Sequence, residues 1–165
     1  MNVLVAGGPG SGKTTWCSEY ISYLRECGCS VGGILSPEVR LDTRRIGYDV
    51  VDLLTCEEMP FARLAGDGCL DGERVGAYVI SWEGIAFGID AIERAVGKAC
   101  EFVVIDEVGY LELFGRGLMP AVSLAWKSSL NNLVVVRSEL VRAFLRYVEQ
   151  EVPEPGAETV SLLRL

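Results

Sequence analysis

Residues Gly7-Gly8-Pro9-Gly10-Ser11-Gly12-Lys13-Thr14 fit the pattern G-x-x-x-x-G-K-[ST] without a break. Glycines at this spacing let the backbone curl so that successive N–H groups converge on one anion. A Lys and a hydroxyl residue directly after the last glycine suit a polyphosphate and its metal. Lys13 would reach the β- and γ-phosphates, and Thr14 would ligate Mg²⁺. The flanks agree. Val3-Leu4-Val5-Ala6 is a short apolar run, as a buried strand requires, and from Lys13 onward Trp16, Tyr20, Tyr23 and Leu24 recur at helical spacing. The loop therefore opens a helix, whose partly positive N-terminus points at the same anion.

Such a site needs an acidic partner. Phe102-Val103-Val104-Ile105 is an apolar run ending in Asp106-Glu107. In open α/β sheets ligands collect at the carboxyl ends of the strands, where both this acid pair and the glycine loop would lie. Asp106 would hold Mg²⁺, through a water, and Glu107 would orient or deprotonate the attacking water. Glu112 reads either as support for the metal or as a solvated side chain. Arg40, Arg44 and Arg45 lie within six positions. One of them, with Arg45 the choice here, could stabilise charge on a transferring phosphoryl, or all could be solvated loop charges. Arg116, Arg137 and Arg142 are less specific candidates.

Composition narrows the field. The net charge is −8 and no stretch gathers Lys and Arg into a patch, which argues against generic DNA or RNA binding. Histidine is absent, so acid–base chemistry falls to carboxylates, Lys, Cys or Tyr. Six cysteines stand at 17, 27, 29, 56, 69 and 100. None forms C-x-x-C, and most read as small buried hydrophobes. No apolar run reaches the roughly 18 residues of a membrane helix, and Met1-Asn2 leads straight into the first strand. A cytoplasmic protein with one domain over residues 1–165 is expected.

Continuous apolar strands alternating with helices predict an α/β fold, a mainly parallel sheet flanked by helices. The expected strands are 2–6, 31–35, 44–54, 61–64, 75–82, 102–105, 133–136 and 159–163. Helices are expected over 13–27, around Ile85, Ile89, Ile92 and Val96, over 118–130, and over 139–149. A loop is expected at 153–156. The strands between 31 and 82, joined by short turn-rich connectors, suggest a four-stranded antiparallel ribbon inserted into the α/β core.

Four blocks of residues carry a resemblance to a known family. They are Gly7 to Thr15; Gly33 through Glu38-Val39-Arg40 to Arg44-Arg45-Ile46-Gly47-Tyr48; Arg74 to Val79; and Val104-Ile105-Asp106-Glu107-Val108-Gly109-Tyr110-Leu111-Glu112-Leu113. The chain resembles the small nucleoside-triphosphatases first described from thermophiles and found in vertebrates as the cancer-related nucleoside-triphosphatase. That resemblance implies a P-loop NTPase fold and slow, Mg²⁺-dependent hydrolysis of nucleoside triphosphates, ATP and GTP among them, to the diphosphate. It also implies that Gly7, Gly8, Pro9, Gly10, Ser11, Gly12, Lys13, Thr14 and Thr15 form the nucleotide loop. Val103, Val104, Ile105, Asp106, Glu107, Val108, Gly109 and Tyr110 would form a second nucleotide-contacting stretch, with Glu107 in the catalytic position. The family usually has Lys at the position of Tyr110 and often a small residue such as Thr at that of Arg137. Two other readings stand beside hydrolysis: a nucleotide or nucleoside kinase gripping its acceptor with Glu38, Arg40 and Arg45, and a nucleotide-dependent switch. The expected partner is a nucleoside triphosphate, with no nucleic acid and no membrane; oligomeric state is not legible.

Overall fold

Ten strands share one sheet, and four α-helices lie against it among the described residues. The computed structural model describes residues 1–66, 70–151 and 160–165. In chain order the elements are β1 (Asn2–Gly7), α1 (Lys13–Glu26), β2 (Val31–Leu35), β3 (Glu38–Leu41), β4 (Arg44–Asp52), β5 (Glu58–Leu64), β6 (Gly72–Val75), β7 (Tyr78–Ser81), α2 (Trp82–Gly97), β8 (Phe102–Val108), α3 (Met119–Lys127), β9 (Asn131–Arg137), α4 (Val141–Glu151) and β10 (Val160–Arg164). Across the sheet the order is β10-β1-β9-β8-β2-β4-β5-β7-β6, with β3 paired to β4. The strands from β10 to β2 are mutually parallel. Those beyond β2 are antiparallel.

The parallel strands read as unbroken apolar runs because both of their faces are covered. Alternate residues serve different cores. Val5, Val104, Leu133 and Val135 pack with Cys17, Ile21 and Leu24 of α1. Leu4, Val103, Ile105, Val134 and Val136 pack with α2, α3 and α4 on the other face. By this parity Asp106 and Arg137 share the α1 face, the side on which the glycine loop turns into its helix. Gly33 is a point of close approach. At φ +98° it lies in the left-handed region, and a Cβ there would sit 2.9 Å from the Val104 nitrogen and closer still to the Val104 carbonyl oxygen.

The expected α/β class is the observed one, with differences in the inserted segment. The arginine-bearing stretch after β2 is a hairpin, β3–β4, turning at Asp42 with φ +54°. The strand expected over 44–54 ends at Asp52, and that over 75–82 is two elements: β6 and β7 form a hairpin around Gly76, and Trp82 already begins α2. Between residues 31 and 82 there are thus six strands, β2 to β7, not four. On α2 the buried face is Gly84, Ile85, Gly88, Ala91, Ile92 and Ala95; Ile89 and Val96 lie at its margin, partly buried. Small residues occupy the centre because α3 packs close: a Cβ on Gly88 would lie 2.8 Å from Leu118 Cδ2. The helix expected from 139 is a 3-10 turn, Ser138–Leu140, leading into α4. The loop expected at 153–156 and residue 159 lie outside the described residues.

Candidate active site

The glycine loop joins β1 to α1 through two left-handed residues, Gly10 (φ 75°) and Gly12 (φ 86°). An L side chain at either position would strain the backbone. Gly12 is also the helix N-cap, and its carbonyl accepts from Trp16 N–H at 2.8 Å. The first turn of α1 carries no acidic residue, so nothing there opposes an anion at the positive end of the helix. Within the loop, a Cβ on Gly7 would collide with Ser11 Oγ and stand 3.1 Å from Lys13 Cγ. The loop's interior exists because Gly7 has no side chain. Lys13 is buried, and its Nζ donates to the Gly8 carbonyl at 2.9 Å. Its ammonium therefore lies inside the loop.

Sheet register brings the acid pair to the loop. Val5 of β1 pairs with Val135 of β9, and Val135 pairs with Asp106 of β8. Asp106 is thus two strand spacings from β1, about 10 Å. A bulge follows, since Val108 pairs with Val136 and leaves Glu107 as the extra residue of the strand. Asp106 is wholly buried. Its Oδ2 accepts from Ser36 N–H at 3.2 Å, and Ser36 Oγ donates to the Asp106 carbonyl. These two bonds tie the end of β2 to the end of β8. The Cys17 thiol reports both charges. Its pKa is pushed up to about 12, chiefly by burial and also by Asp106, with Lys13 opposing.

A cleft of about 620 Å³ opens over the loop, lined by Pro9, Gly10, Gly12, Lys13, Thr14 and Thr15 with Arg137 beside them, and by Arg40, Arg45, Tyr48 and Tyr78 on the facing wall. Arg45 is held in place: its Nη1 donates to Glu38 Oε1 at 2.8 Å, its Nε donates to Tyr78 Oη at 3.2 Å, and its guanidinium lies over the Tyr48 ring. The Glu38 bond raises the Arg45 pKa, and the same bond, with help from Arg40, lowers that of Glu38. Arg44 is exposed, and Arg116 pairs with Glu73 away from the cleft. Arg137, the last residue of β9, stands beside Gly7 in the register and lines the cleft. It was only a weak candidate by sequence; knowing which strand neighbours β1 is what singles it out.

Several expected site residues serve other ends. The side chains of Val103, Val104, Ile105 and Val108 are buried in the two cores and do not line the cleft. Gly109 and Tyr110 line a second, adjoining cavity. Glu112 is neither solvated nor among the groups lining the loop cleft. It is buried, its Oε2 accepts from Gly109 N–H at 2.9 Å, and its Oε1 accepts from Leu118 N–H at 3.0 Å. It braces the segment after β8. Of the five described cysteines, only Cys17 and Cys100 are buried, fewer than apolar character suggested.

A glycine loop opening a helix at the carboxyl edge of a parallel sheet, with a buried Asp two strands over, defines a P-loop NTPase fold. The chain matches the NTPase family model over residues 2–155 and belongs to that family. It is 35% identical over 153 residues to nucleoside-triphosphatase THEP1 of Methanopyrus kandleri, covering 93% of this chain and 82% of that one. To the THEP1 of Thermofilum pendens it is 43% identical over 128 residues, 77% of this chain and 68% of the relative. Its fold is similar to the solution structure of a human cancer-related nucleoside triphosphatase, with TM-score 0.71 and 26% identity over 99% of this chain and 88% of that one.

Proposed function

We propose that the protein hydrolyses nucleoside triphosphates, ATP and GTP among them, to the diphosphate and inorganic phosphate, with Mg²⁺. The observation that carries this reading is the convergence of the Gly10–Gly12 turn, the inward Lys13 and the buried Asp106 on one face of one sheet edge. Loop N–H groups and the α1 N-terminus would hold the phosphates, and Lys13 would exchange the Gly8 carbonyl for the β- and γ-oxygens.

The donors present suit Mg²⁺. Thr14 offers a hydroxyl and Asp106 a carboxylate, both hard oxygens, and no cluster of three or more His, Cys, Asp or Glu occurs among the described residues. A cation that keeps waters and takes substrate phosphates needs no more protein ligands than this. When bound, Mg²⁺ would neutralise charge developing on the phosphates. Ser36 fixes the Asp106 carboxylate; Arg137, beside Gly7 in the register, would supply positive charge to the transferring phosphoryl, and Arg45, already paired with Glu38, would aid binding of the triphosphate from the facing wall. Glu107 is assigned activation of the attacking water.

Phosphate release from Mg-ATP without any acceptor tests the reading. Glu107→Gln should retain nucleotide affinity and lose most turnover, whereas Lys13→Ala should weaken binding of the triphosphate itself. Unchanged hydrolysis in Glu107→Gln rejects the role given to that residue. The site is expected to lie in the cytoplasm; no described helix is long and apolar enough to cross a membrane.

A further inference from the structure

A second cavity of about 500 Å³ adjoins the nucleotide cleft, and its walls differ in kind. No residue of the glycine loop lines it. Its faces come from β4, β5 and the β6–β7 hairpin on one side and from the segment after β8 on the other, with Tyr48, Phe61, Tyr78 and Tyr110 supplying rings. Three residues, Tyr48, Tyr78 and Arg137, belong to both spaces and form the partition between them.

Its position relative to the triphosphate follows from landmarks already given. Thr15 and Ser18, on the α1 side, line only the cleft. Ser36, which bonds Asp106, and Gly109, just past the acid pair, line only the cavity. In this loop class Lys13 and the metal ligands mark the β- and γ-phosphates, so the cavity begins beyond the γ end. The base of the bound nucleotide trails from the opposite, α end and does not fill it.

The wall chemistry selects an occupant. Among the described residues of this lining Glu112 is the carboxylate, and both its oxygens accept backbone N–H groups. Arg137 stands on the partition, 5.8 Å from the Tyr110 ring centre, where a polyphosphate would claim its charge. What remains is aromatic and neutral, suited to stacking a planar heterocycle. The volume lies in the usual range for a small-molecule pocket.

We infer that this cavity is an acceptor subsite for a neutral, planar heteroaromatic molecule of nucleoside size bearing a hydroxyl, held against the γ-phosphate. The inference rests on the nucleotide-binding mode proposed above. With the cavity filled, water is excluded from the γ side, and the acceptor hydroxyl replaces it. The hydroxyl oxygen forms a bond to Pγ as the bond from Pγ to the β–γ bridging oxygen breaks. The bridging oxygen leaves as a terminal oxygen of the diphosphate, and the hydroxyl proton goes to the base that would otherwise serve water. Hydrolysis is then the reaction that proceeds when the cavity holds water.

The probes are adenosine, guanosine, cytidine and thymidine, each with Mg-ATP labelled in the γ-phosphate. Binding is read by saturation-transfer NMR in the presence of a non-hydrolysable ATP analogue, and transfer by chromatography of the label. At least one nucleoside should bind and receive label on a hydroxyl. Ala77→Trp and, independently, Val75→Trp fill the cavity from the hairpin without touching the loop. Each should lower probe binding and transfer by about tenfold or more, while phosphate release without probe stays near that of the unaltered protein. The inference is overturned if no probe binds, if both fillings leave binding unchanged, or if a bound probe leaves all label as free phosphate. Loss of phosphate release from the unaltered protein without any probe would instead sink the hydrolase reading, so the two failures are separable.

Discussion

Removing the Glu112 carboxylate tests whether the segment between β8 and α3 is held from within. The side chain is 4% exposed and accepts two backbone N–H groups, one buried at Leu118 and one half-buried at Gly109. In Glu112→Ala the Leu118 N–H is stranded, at about 1–3 kcal/mol, and the Gly109 N–H, which water can partly reach, adds about 1 kcal/mol. The sum, about 2–4 kcal/mol, is a large part of the roughly 5–15 kcal/mol that holds a typical domain together. It should lower Tm by about 4–16 °C for a chain of this size. Glu112→Gln keeps one acceptor but sets an amide donor against the other N–H, so it should fall between the alanine variant and the unaltered protein. Thermal and urea denaturation followed by circular dichroism measure the series. If Glu112→Ala melts within about 1 kcal/mol of the unaltered protein, the brace is refuted. If both variants are stable yet both lose turnover that excess Mg²⁺ restores, Glu112 supports the metal instead.

Arg45 and Arg137, which both line the cleft, should separate kinetically. Arg137→Ala should lower kcat by about 10²–10³, the usual effect of losing one donor to a transition-state oxygen, whereas Arg45→Ala, whose charge is already matched by Glu38, should act mainly on KM; the reverse split in steady-state kinetics would return Arg45 to the leading role. Glu38 has its pKa lowered, chiefly by its bond to Arg45, so the pair's contribution is present above the ordinary value of 4.5 and is lost as pH falls through the depressed one. The stability gap between the unaltered protein and Glu38→Gln should therefore close on acidification below pH 4.5, and a gap independent of pH in thermal melts would contradict the assignment. Cys17, wholly buried with a pKa near 12, should resist a thiol-directed reagent at neutral pH while exposed Cys27 and Cys56 react, as mapped by mass spectrometry; labelling of Cys17 in the folded protein would show that the packing under the loop is looser than the structure has it.

How much of this was legible in the sequence depends on where each signal resides. The loop could be read because backbone chemistry demands glycine at fixed positions, and Gly10 and Gly12 do take left-handed angles. The Asp106 strand could be read because burial on both faces leaves an unbroken apolar run. Strand β3 could not. It lies off the main path of the sheet, paired to β4, and carries exposed charge, and its turn into β4 passes through Asp42, where glycine would have announced the positive φ. Glu112 was ambiguous because its partners are backbone N–H groups, which no side-chain pattern records. Arg137 was not singled out because its place beside the loop comes from β9 lying between β1 and β8, an arrangement set by long-range pairing.

The same distinction bears on the site itself. The residues assigned to the phosphates and the metal, namely the loop, Lys13, Thr14 and Asp106, all lie on the parallel half of the sheet or the turn and helix that follow β1. Yet Arg45, Tyr48 and Tyr78, which face the loop across the cleft, come from the antiparallel extension, and their mutual contacts lock that wall. Among the described residues Tyr78 makes no hydrogen bond to the loop; it accepts from Arg45, which in turn is bonded to Glu38. A change at Tyr78 should therefore reach the phosphates through Arg45. Tyr78→Phe removes one hydrogen bond and keeps the ring, so its effect on hydrolysis should largely vanish when Arg45 is already alanine. Additive losses in that double-mutant cycle would mean that the extension touches the nucleotide by another route.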